Sequence, residues 1–231
     1  MGKAFYGLYF KFMRFIARII CDRYDIVGAA DEAAPKVFIS HHQNMYGPVM
    51  SMMWLKEPVH IWVLSHFCNK KDCYKHFIDY TFSKRFGWGR LRTIFVARLF
   101  SGSVSRLMMS AKAIPVFRES RKVMDTINKS IDLLMNNESL LIFPDIDYSN
   151  NDPDMHDIYK GFLYLEKYYY RVTGKHLAFV PLYVSQKTKS LHLGDAIYFK
   201  DNIAFADERE NVSESIKKSV HNLAVACGDV N

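Results

Sequence analysis

Two adjacent histidines, His41 and His42, follow the short run KVFIS at residues 36–40, whose centre is apolar and rich in strand-forming residues. The run predicts a buried strand, and the polar segment HHQNMYGP after it predicts a turn into a helix. In α/β proteins, ligands and catalytic groups lie at such carboxyl ends of strands. The two imidazoles and the nearby amide of Asn44 are therefore candidates for catalytic or ligand-binding groups.

Charged side chains recur in two further segments, AIPVFRESR and LLIFPDIDYS. In the first segment, Arg118 and Arg121 carry planar guanidinium groups, which can bind a phosphate through two parallel hydrogen bonds. In the second segment, Asp145 lies at the end of a predicted strand and Asp147 lies two residues beyond it.

A compact group of soft ligands lies in the segment HFCNKKDCYKH, namely His66, Cys68, Cys73 and His76. Four such ligands are sufficient to hold zinc in a tetrahedral site. The segment is more typical of a helix and a turn than of a zinc knuckle, which favours buried thiols and surface histidines. We therefore predict no metal site.

Strand and helix patterns alternate along the chain, which predicts an α/β fold with a largely parallel sheet. The predicted strands are at 36–40, 139–145, 177–185 and 190–199. The predicted helices are at 49–55, 120–137, 161–172 and 210–226.

The 231 residues are 49% hydrophobic and 15% aromatic, which is sufficient for one large domain with a packed core. A net charge of +7 indicates an anionic partner, but no nucleic-acid-binding signature accompanies it. Four scattered cysteines favour a reducing compartment over a disulfide scaffold.

The first helical pattern, at residues 3–24, is apolar and aromatic with a narrow basic stripe that contains Lys11, Arg14 and Arg18. These cations argue against a membrane-spanning helix, and the segment lacks the features of a signal peptide. The pattern predicts an amphipathic helix at a membrane interface, with a buried helix as the alternative. We assign residues 1–27 to this helix and 28–231 to the main domain.

Read together, these segments resemble the glycerolipid acyltransferases, the PlsC-like lysophosphatidic acid acyltransferase family. That family shows the blocks N-H-x-S-x-x-D, G-x-I-P-V-x-R, I-F-P-E-G-T-R-S, F-K-K-G and V-P-V, in this order. The corresponding blocks here are HHQNMYG, AIPVFR, IFPDIDYS, YKG at 159–161 and VPL at 180–182, followed by LGDAI at 193–197. The resemblance covers about residues 36–225. It implies a glycerolipid-acyltransferase-like domain with a mostly parallel central sheet flanked by helices.

The sequence departs from the family pattern at the catalytic block. Gly47 stands where the family has its aspartate, so the H-x4-D motif is degenerate, and His41 and Asn44 stand at the family's Asn and Ser. Asp145 replaces the glutamate of the third block, and Tyr148 replaces its arginine. Gly47→Asp is expected to raise activity if the turn accepts a side chain.

The resemblance implies roles for individual residues. His42 matches the general base, and Asp145 or Asp147 is expected to orient its ring in place of the missing aspartate. Arg118 is expected to bind the phosphate of the acceptor. Lys160 and Arg121 add positive charge for the same group, and His41 and Asn44 complete the expected substrate-binding set.

The implied function is transfer of a fatty acyl group from acyl-CoA or acyl-carrier protein to a lysophosphatidate-like phosphorylated glycerol lipid. No cofactor beyond the acyl donor is expected. The expected location is peripheral, on the cytoplasmic face of a phospholipid membrane, without nucleic acid as a partner. The alternative is a catalytically impaired member of the fold that binds lipid or phosphate.

Overall fold

A computed structural model describes residues 5–28, 35–117, 122–147 and 152–230. Strands and helices alternate along these residues, as expected for an α/β protein. The strands are β1 (Asp25–Val27), β2 (Lys36–Ser40), β3 (Val59–Leu64), β4 (Ile114–Val116), β5 (Ser139–Ile142), β6 (Ala178–Ser185) and β7 (Ser190–Leu193). The α-helices are α1 (Leu8–Ile20), α2 (Tyr46–Trp54), α3 (Lys70–His76), α4 (Arg90–Ser110), α5 (Val123–Met135), α6 (Tyr164–Thr173) and α7 (Phe205–Ala226). A π-helical segment follows α3 at Phe77–Arg85, and 3-10 turns lie at Ser65–Cys68 and Lys160–Leu163.

The chain divides into two compact units, each built from two stretches of sequence. The first unit comprises Met1–Ile16 and His60–Thr126, and the second comprises Ala17–Val59 and Ile127–Asn231. The division at residue 27 that the sequence suggests remains a prediction.

The second unit contains a mostly parallel sheet with the strand order β1-β7-β6-β2-β5. Only the β6–β7 pair is antiparallel within this set of strands. Every residue of β2, β5 and β6 is buried, because helices cover the faces of a parallel sheet. Helices α2 and α7 both pack against β6. The predicted α/β class with a mostly parallel sheet flanked by helices is thus confirmed.

The strands and helices predicted in the second half of the sequence are present, with shorter strands. The strand predicted at 139–145 ends at Ile142, two residues before Pro144. The strand predicted at 190–199 ends at Leu193, and Ile197 forms an isolated antiparallel bridge with Phe179. Helix α6 stops at Gly174, whose φ of +66° is the left-handed conformation that commonly ends helices.

The first unit contains the parallel pair β3–β4 and the helical segments between these strands. The helices bury a cluster of residues that comprises Cys73, Phe77, Phe82 and Ala97, with Phe67, Tyr74, Ile78, Trp88, Val96 and Val104 packed around it. The sequence patterns predict neither β3 nor α4. In α4 the buried side consists of small residues, so the usual periodicity of large apolar residues does not mark its inner face.

The predicted N-terminal helix is present as α1, but one cation of its basic stripe is engaged within the protein. The Arg18 guanidinium donates to the carbonyl oxygen of Met53 from Nε (2.9 Å) and Nη2 (2.6 Å). It also lies 5.0 Å from the centre of the Trp54 ring. Apolar side chains of α1 are nonetheless exposed, Ile20 by 76%. None of the helices in the described residues is both long and apolar enough to cross a bilayer.

Candidate active site

The candidate residues lie at the carboxyl ends of two neighbouring parallel strands in the second unit. Strand β2 pairs with β5 in a register that places Ile39 opposite Ile142. His41 and His42 directly follow β2, and Asp145 lies three residues beyond the end of β5. Parallel strands bring these ends to the same edge of the sheet, where α/β proteins bind ligands.

A tight turn connects the double histidine to helix α2. Gln43 and Asn44 both adopt left-handed conformations, with φ of +43° and +59°. Asparagine tolerates this conformation, whereas glutamine pays about 1–2 kcal/mol for it. The turn is closed by hydrogen bonds from the Tyr46 N–H to the Gln43 carbonyl (3.1 Å) and from the Gly47 N–H to the His42 carbonyl (3.1 Å). Strained backbone of this kind concentrates at functional sites.

The same turn requires a glycine at position 47, where the resemblance leads one to expect an aspartate. A Cβ atom added to Gly47 would collide with the carbonyl oxygen of His41 and lie 3.0 Å from that of His42. Both neighbours are backbone atoms, which cannot rotate away. Glycine is therefore required here for close backbone approach rather than for its conformational freedom. The turn therefore does not accept an aspartate side chain at position 47.

We therefore expect Gly47→Asp to lower both stability and any activity instead of raising the activity. Gly47→Ala should already cost about 1–3 kcal/mol or more, because relieving the collision requires the backbone to shift. Gly161→Ala is a matched control, since nothing lies within 4 Å of a Cβ added there. Denaturant unfolding of the three variants measures the difference. Equal stability of Gly47→Ala and Gly161→Ala would contradict the close approach.

A buried ion pair joins the two strand ends. His41 Nδ1 lies 2.5 Å from Asp145 Oδ1, and both side chains are almost fully buried. His41 Nε2 lies 2.7 Å from the carbonyl oxygen of Asp152. A carbonyl and a carboxylate only accept hydrogen bonds, so both ring nitrogens of His41 carry hydrogen and the imidazole is cationic.

The electrostatics of His41 agree with this protonation state. Burial by itself lowers the pKa of His41, but the hydrogen bond and negative charge of Asp145, assisted by the Asp152 carbonyl, outweigh burial and raise it. A ring that is already protonated and bonded at both nitrogens has no lone pair to accept a substrate proton. His41 is therefore suited to hold the strand ends together, and it is not suited to act as a general base.

His42 is placed differently from His41. Its backbone N–H donates to Asp145 Oδ2 at 2.9 Å, so one carboxylate fixes both histidines, one through the ring and the other through the backbone. The His42 ring is half-buried and packs edge-on against Phe143, with the ring centres 5.6 Å apart. Of the two imidazoles, only that of His42 combines partial exposure with a fixed backbone.

The two candidate carboxylates have different environments. Asp145 forms an antiparallel bridge with Ile158, and the Tyr159 N–H donates to the Pro144 carbonyl at 2.8 Å, which fixes the segment after β5. Asp147, two residues later, is exposed. The structure thus brings Asp145 together with both histidines, through the ring of His41 and the backbone of His42.

The residues expected to bind phosphate are only partly described. Arg118 and Arg121 lie outside the described residues. Lys160 is described, and its ammonium group forms an ion pair with the Glu210 carboxylate at the surface of the second unit. The Glu210 pKa is lowered by this contact with Lys160. A phosphate would have to compete with Glu210 for Lys160.

The cysteine and histidine segment of the first unit is helical, as the sequence indicates. The rings of His66 and His76 stack with their centres 5.4 Å apart, and Cys73 is fully buried. Burial, reinforced by neighbouring Cys68, raises the pKa of the Cys73 thiol to about 11, which disfavours the thiolate. Within the described ranges, no three His, Cys, Asp or Glu residues are grouped so as to hold a metal ion.

The strands and helices define an α/β protein with a mostly parallel sheet, and the candidate residues lie at the carboxyl ends of two of its strands. A solved structure with a similar fold is the 1-acyl-sn-glycerophosphate (LPA) acyltransferase PlsC from Thermotoga maritima. The TM-score is 0.56 at 11% sequence identity, and the match covers 93% of this chain and 78% of that one. At this identity the likeness establishes the fold alone. No protein-family model matches the sequence, and no curated protein matches it significantly.

The sequence singles out His41, His42 and Asp145 as candidates, but it does not show how these residues pair. Asp145 or Asp147 was expected to orient the ring of His42, whereas the Asp145 carboxylate contacts the ring of His41 and the backbone of His42. The role of Asp152 was missed, because a backbone carbonyl leaves no signal in residue type. For the site as a whole, the signal available in the sequence was the pair of consecutive polar residues, His41 and His42, after a buried strand.

Proposed function

We propose that the protein is an acyltransferase that moves a fatty acyl group from a thioester to a hydroxyl of a phosphorylated glycerol lipid. The observation that carries the proposal is the half-buried His42 ring at the end of β2, with its backbone fixed by the buried Asp145. The PlsC-like fold supports the reaction class. Acyl-CoA or acyl-carrier protein supplies the thioester, and no further cofactor is needed.

In this proposal His42 accepts the proton of the acceptor hydroxyl as its oxygen attacks the thioester carbonyl. The C–S bond then breaks, and the departing thiolate takes the proton from the imidazolium. Asp145 is a positioning residue, because it contacts the backbone of His42. Arg118, with Arg121 and Lys160 as further cations, is proposed to bind the acceptor phosphate. Asn44 remains a candidate for binding the substrate.

A second candidate function is a lipid- or phosphate-binding protein that has lost catalysis. Two observations favour it: the turn at Gly47 excludes the family's aspartate, and Asp145 pairs with the ring of His41. Losing the orienting aspartate of a serine-protease triad costs about 10⁴-fold in rate, which is an upper guide to the impairment here. Acyl transfer is therefore expected to be slower than in an enzyme with an orienting aspartate, even with His42 as a working base.

Thiol release from acyl-CoA and from acyl-carrier protein, measured with a panel of lysophospholipids, tests the proposal. We expect slow acyl transfer that requires an acceptor and prefers a phosphomonoester over a choline or ethanolamine headgroup. The acylated lipid should appear in proportion to the thiol, which separates transfer from thioester hydrolysis. Binding of the same lipids with no turnover on any of them would support the second candidate and contradict the first.

A further inference from the structure

Helix α4 of the first unit has its large apolar residues on the outside. Leu91, Phe95 and Leu99, spaced at i, i+4 and i+8, are 85%, 71% and 61% exposed. The buried face of the same helix is small or polar, with Thr93, Ala97, Ser101 and Ser105. A helix that lies on a protein in water usually shows the reverse arrangement. We call Leu91, Phe95 and Leu99 the outer ridge of α4.

The sequence around the outer ridge lacks negative charge. Between Asp79 and Glu119 the chain has no aspartate or glutamate, but it has eight Lys and Arg residues. Residues 60–126 as a whole have 13 Lys and Arg against 4 Asp and Glu, a net +9, whereas the complete chain has +7. The positive charge of the protein is thus concentrated in the segment that carries α4.

A cationic groove adjoins the outer ridge. It has a volume of about 460 Å³ and is lined by Lys70, Arg98 and Arg106 together with Leu99 and Met109. Leu99 belongs to the outer ridge, and Met109 is 65% exposed. No carboxylate in the described part of the chain forms an ion pair with the three cations. Their charges face solvent beside exposed apolar side chains, which is the pairing expected for the headgroup level of a membrane.

The start of helix α1 is joined to the end of α4 within the first unit. The Gly7 N–H donates to the Ser110 carbonyl (2.9 Å), and the Phe10 N–H donates to Ser110 Oγ (2.8 Å). The Arg106 guanidinium lies 5.6 Å from the centre of the Tyr9 ring. Leu8 and Phe12 of α1 are 85% and 59% exposed. Exposed apolar side chains therefore lie on α1 as well, whose start is bonded to the end of α4.

From these observations we infer that α4 is a membrane-docking element: its outer ridge enters an anionic lipid surface while Lys70, Arg98 and Arg106 bind lipid phosphates. The three cations favour an anionic surface as the partner. The exposed outer ridge favours a bilayer over a soluble anion. Nucleic acid or a soluble phosphate would account for the cations and would leave the ridge in water. The inference concerns where the protein binds and does not depend on acyl transfer.

Sedimentation with vesicles of phosphatidylcholine containing about 30% phosphatidylglycerol tests the inference on the full-length protein. The triple variant Leu91→Gln, Phe95→Gln, Leu99→Gln should bind at least about 100-fold more weakly than the wild type. Its matched control is Met135→Gln, Val172→Gln, Val225→Gln, which alters exposed apolar residues on other helices. The control should bind the vesicles within about twofold of the wild type. Both triple variants should have the unfolding free energy of the wild type.

Substitutions of the cations test the contribution of the groove to vesicle binding separately from that of the outer ridge. Arg98→Gln and Arg106→Gln should each weaken binding about fivefold, and added salt should reduce the difference. Lys175→Gln and Lys200→Gln, at exposed positions of the second unit, are the controls. Loss of binding in the charge variants with none in the ridge variant would show a soluble-anion site and overturn the inference.

Insertion of the outer ridge into the bilayer can be measured directly by fluorescence, with a substitution at an exposed position that keeps the fold. In Phe95→Trp the new indole should be quenched by brominated lipid in anionic vesicles. An unquenched indole on bound protein, or no binding of the wild type to these vesicles, would overturn the inference. Turnover with a short-chain, monomeric lysophosphatidate separates this failure from failure of the proposed function, because that reaction needs no membrane docking.

Discussion

An Asp145→Asn variant should lose about 3–5 kcal/mol of unfolding free energy near pH 5.5, because it leaves the buried cation of His41 without its partner. The second bond of the carboxylate, to the His42 N–H, is lost or weakened as well. Asp147→Asn, an exposed change of the same chemistry, should stay within about 0.5 kcal/mol of the wild type. Urea unfolding of the three proteins measures these differences.

The loss of unfolding free energy in Asp145→Asn should become smaller as the pH rises. In the folded wild type the pKa of His41 is raised by Asp145, above an unfolded value of about 6.5. The stability from this protonation is fully present below the unfolded pKa and is lost as pH rises through the folded pKa. The gap between wild type and Asp145→Asn should therefore narrow between pH 5.5 and pH 9. An equal gap at both pH values would show that His41 is neutral in the folded protein.

Replacing His42 with alanine should lower acyl transfer by about 10²–10⁴-fold, the usual contribution of a general base. The fold should survive, because the ring is half-buried and its backbone N–H, which bonds Asp145, is unchanged. The measurement is the rate of acceptor-dependent thiol release per folded protein, with melting temperature as the folding check.

Two further variants separate a base from a merely structural histidine. His41→Asn introduces the residue that the resemblance suggests, and it should mainly cost stability while keeping more activity per folded molecule than His42→Ala. Asp145→Asn should lie between these two variants in activity, because it acts on the position of His42 through the backbone. Wild-type turnover that His42→Ala leaves unchanged would rule out His42 as the base.

Local sequence was sufficient to predict the main strands and their polar ends. The strands β2, β5 and β6 are buried along their whole length and mostly apolar, because both faces of a parallel sheet are covered. The amphipathic periodicity of α5 and the predicted N-terminal helix were similarly apparent, since they depend on neighbours a few residues apart. These features place His41, His42 and Asp145 near one sheet edge.

Helix α4 shows where local periodicity fails. Its inner face consists of Thr93, Ala97, Ser101 and Ser105, and its outer ridge consists of larger apolar residues. A pattern that assumes large apolar residues inside assigns the wrong face or no helix. Only the packing of α4 on the cluster around Cys73 and Phe77 shows which face is buried.

The chain alone determined which residues stand at the strand ends, whereas the tertiary structure decided their partners. Asp145 is 104 residues from His41, and its two oxygens distinguish one histidine from the next by contacting a ring in one case and a backbone N–H in the other. From the sequence, Gly47 is interpreted as the loss of a catalytic group. In the structure, Gly47 is needed because the backbone passes close to the His41 carbonyl oxygen. The first outcome depends on a contact between segments far apart in the chain, and the second depends on the close approach of backbone atoms within one turn. Residue type and spacing encode neither.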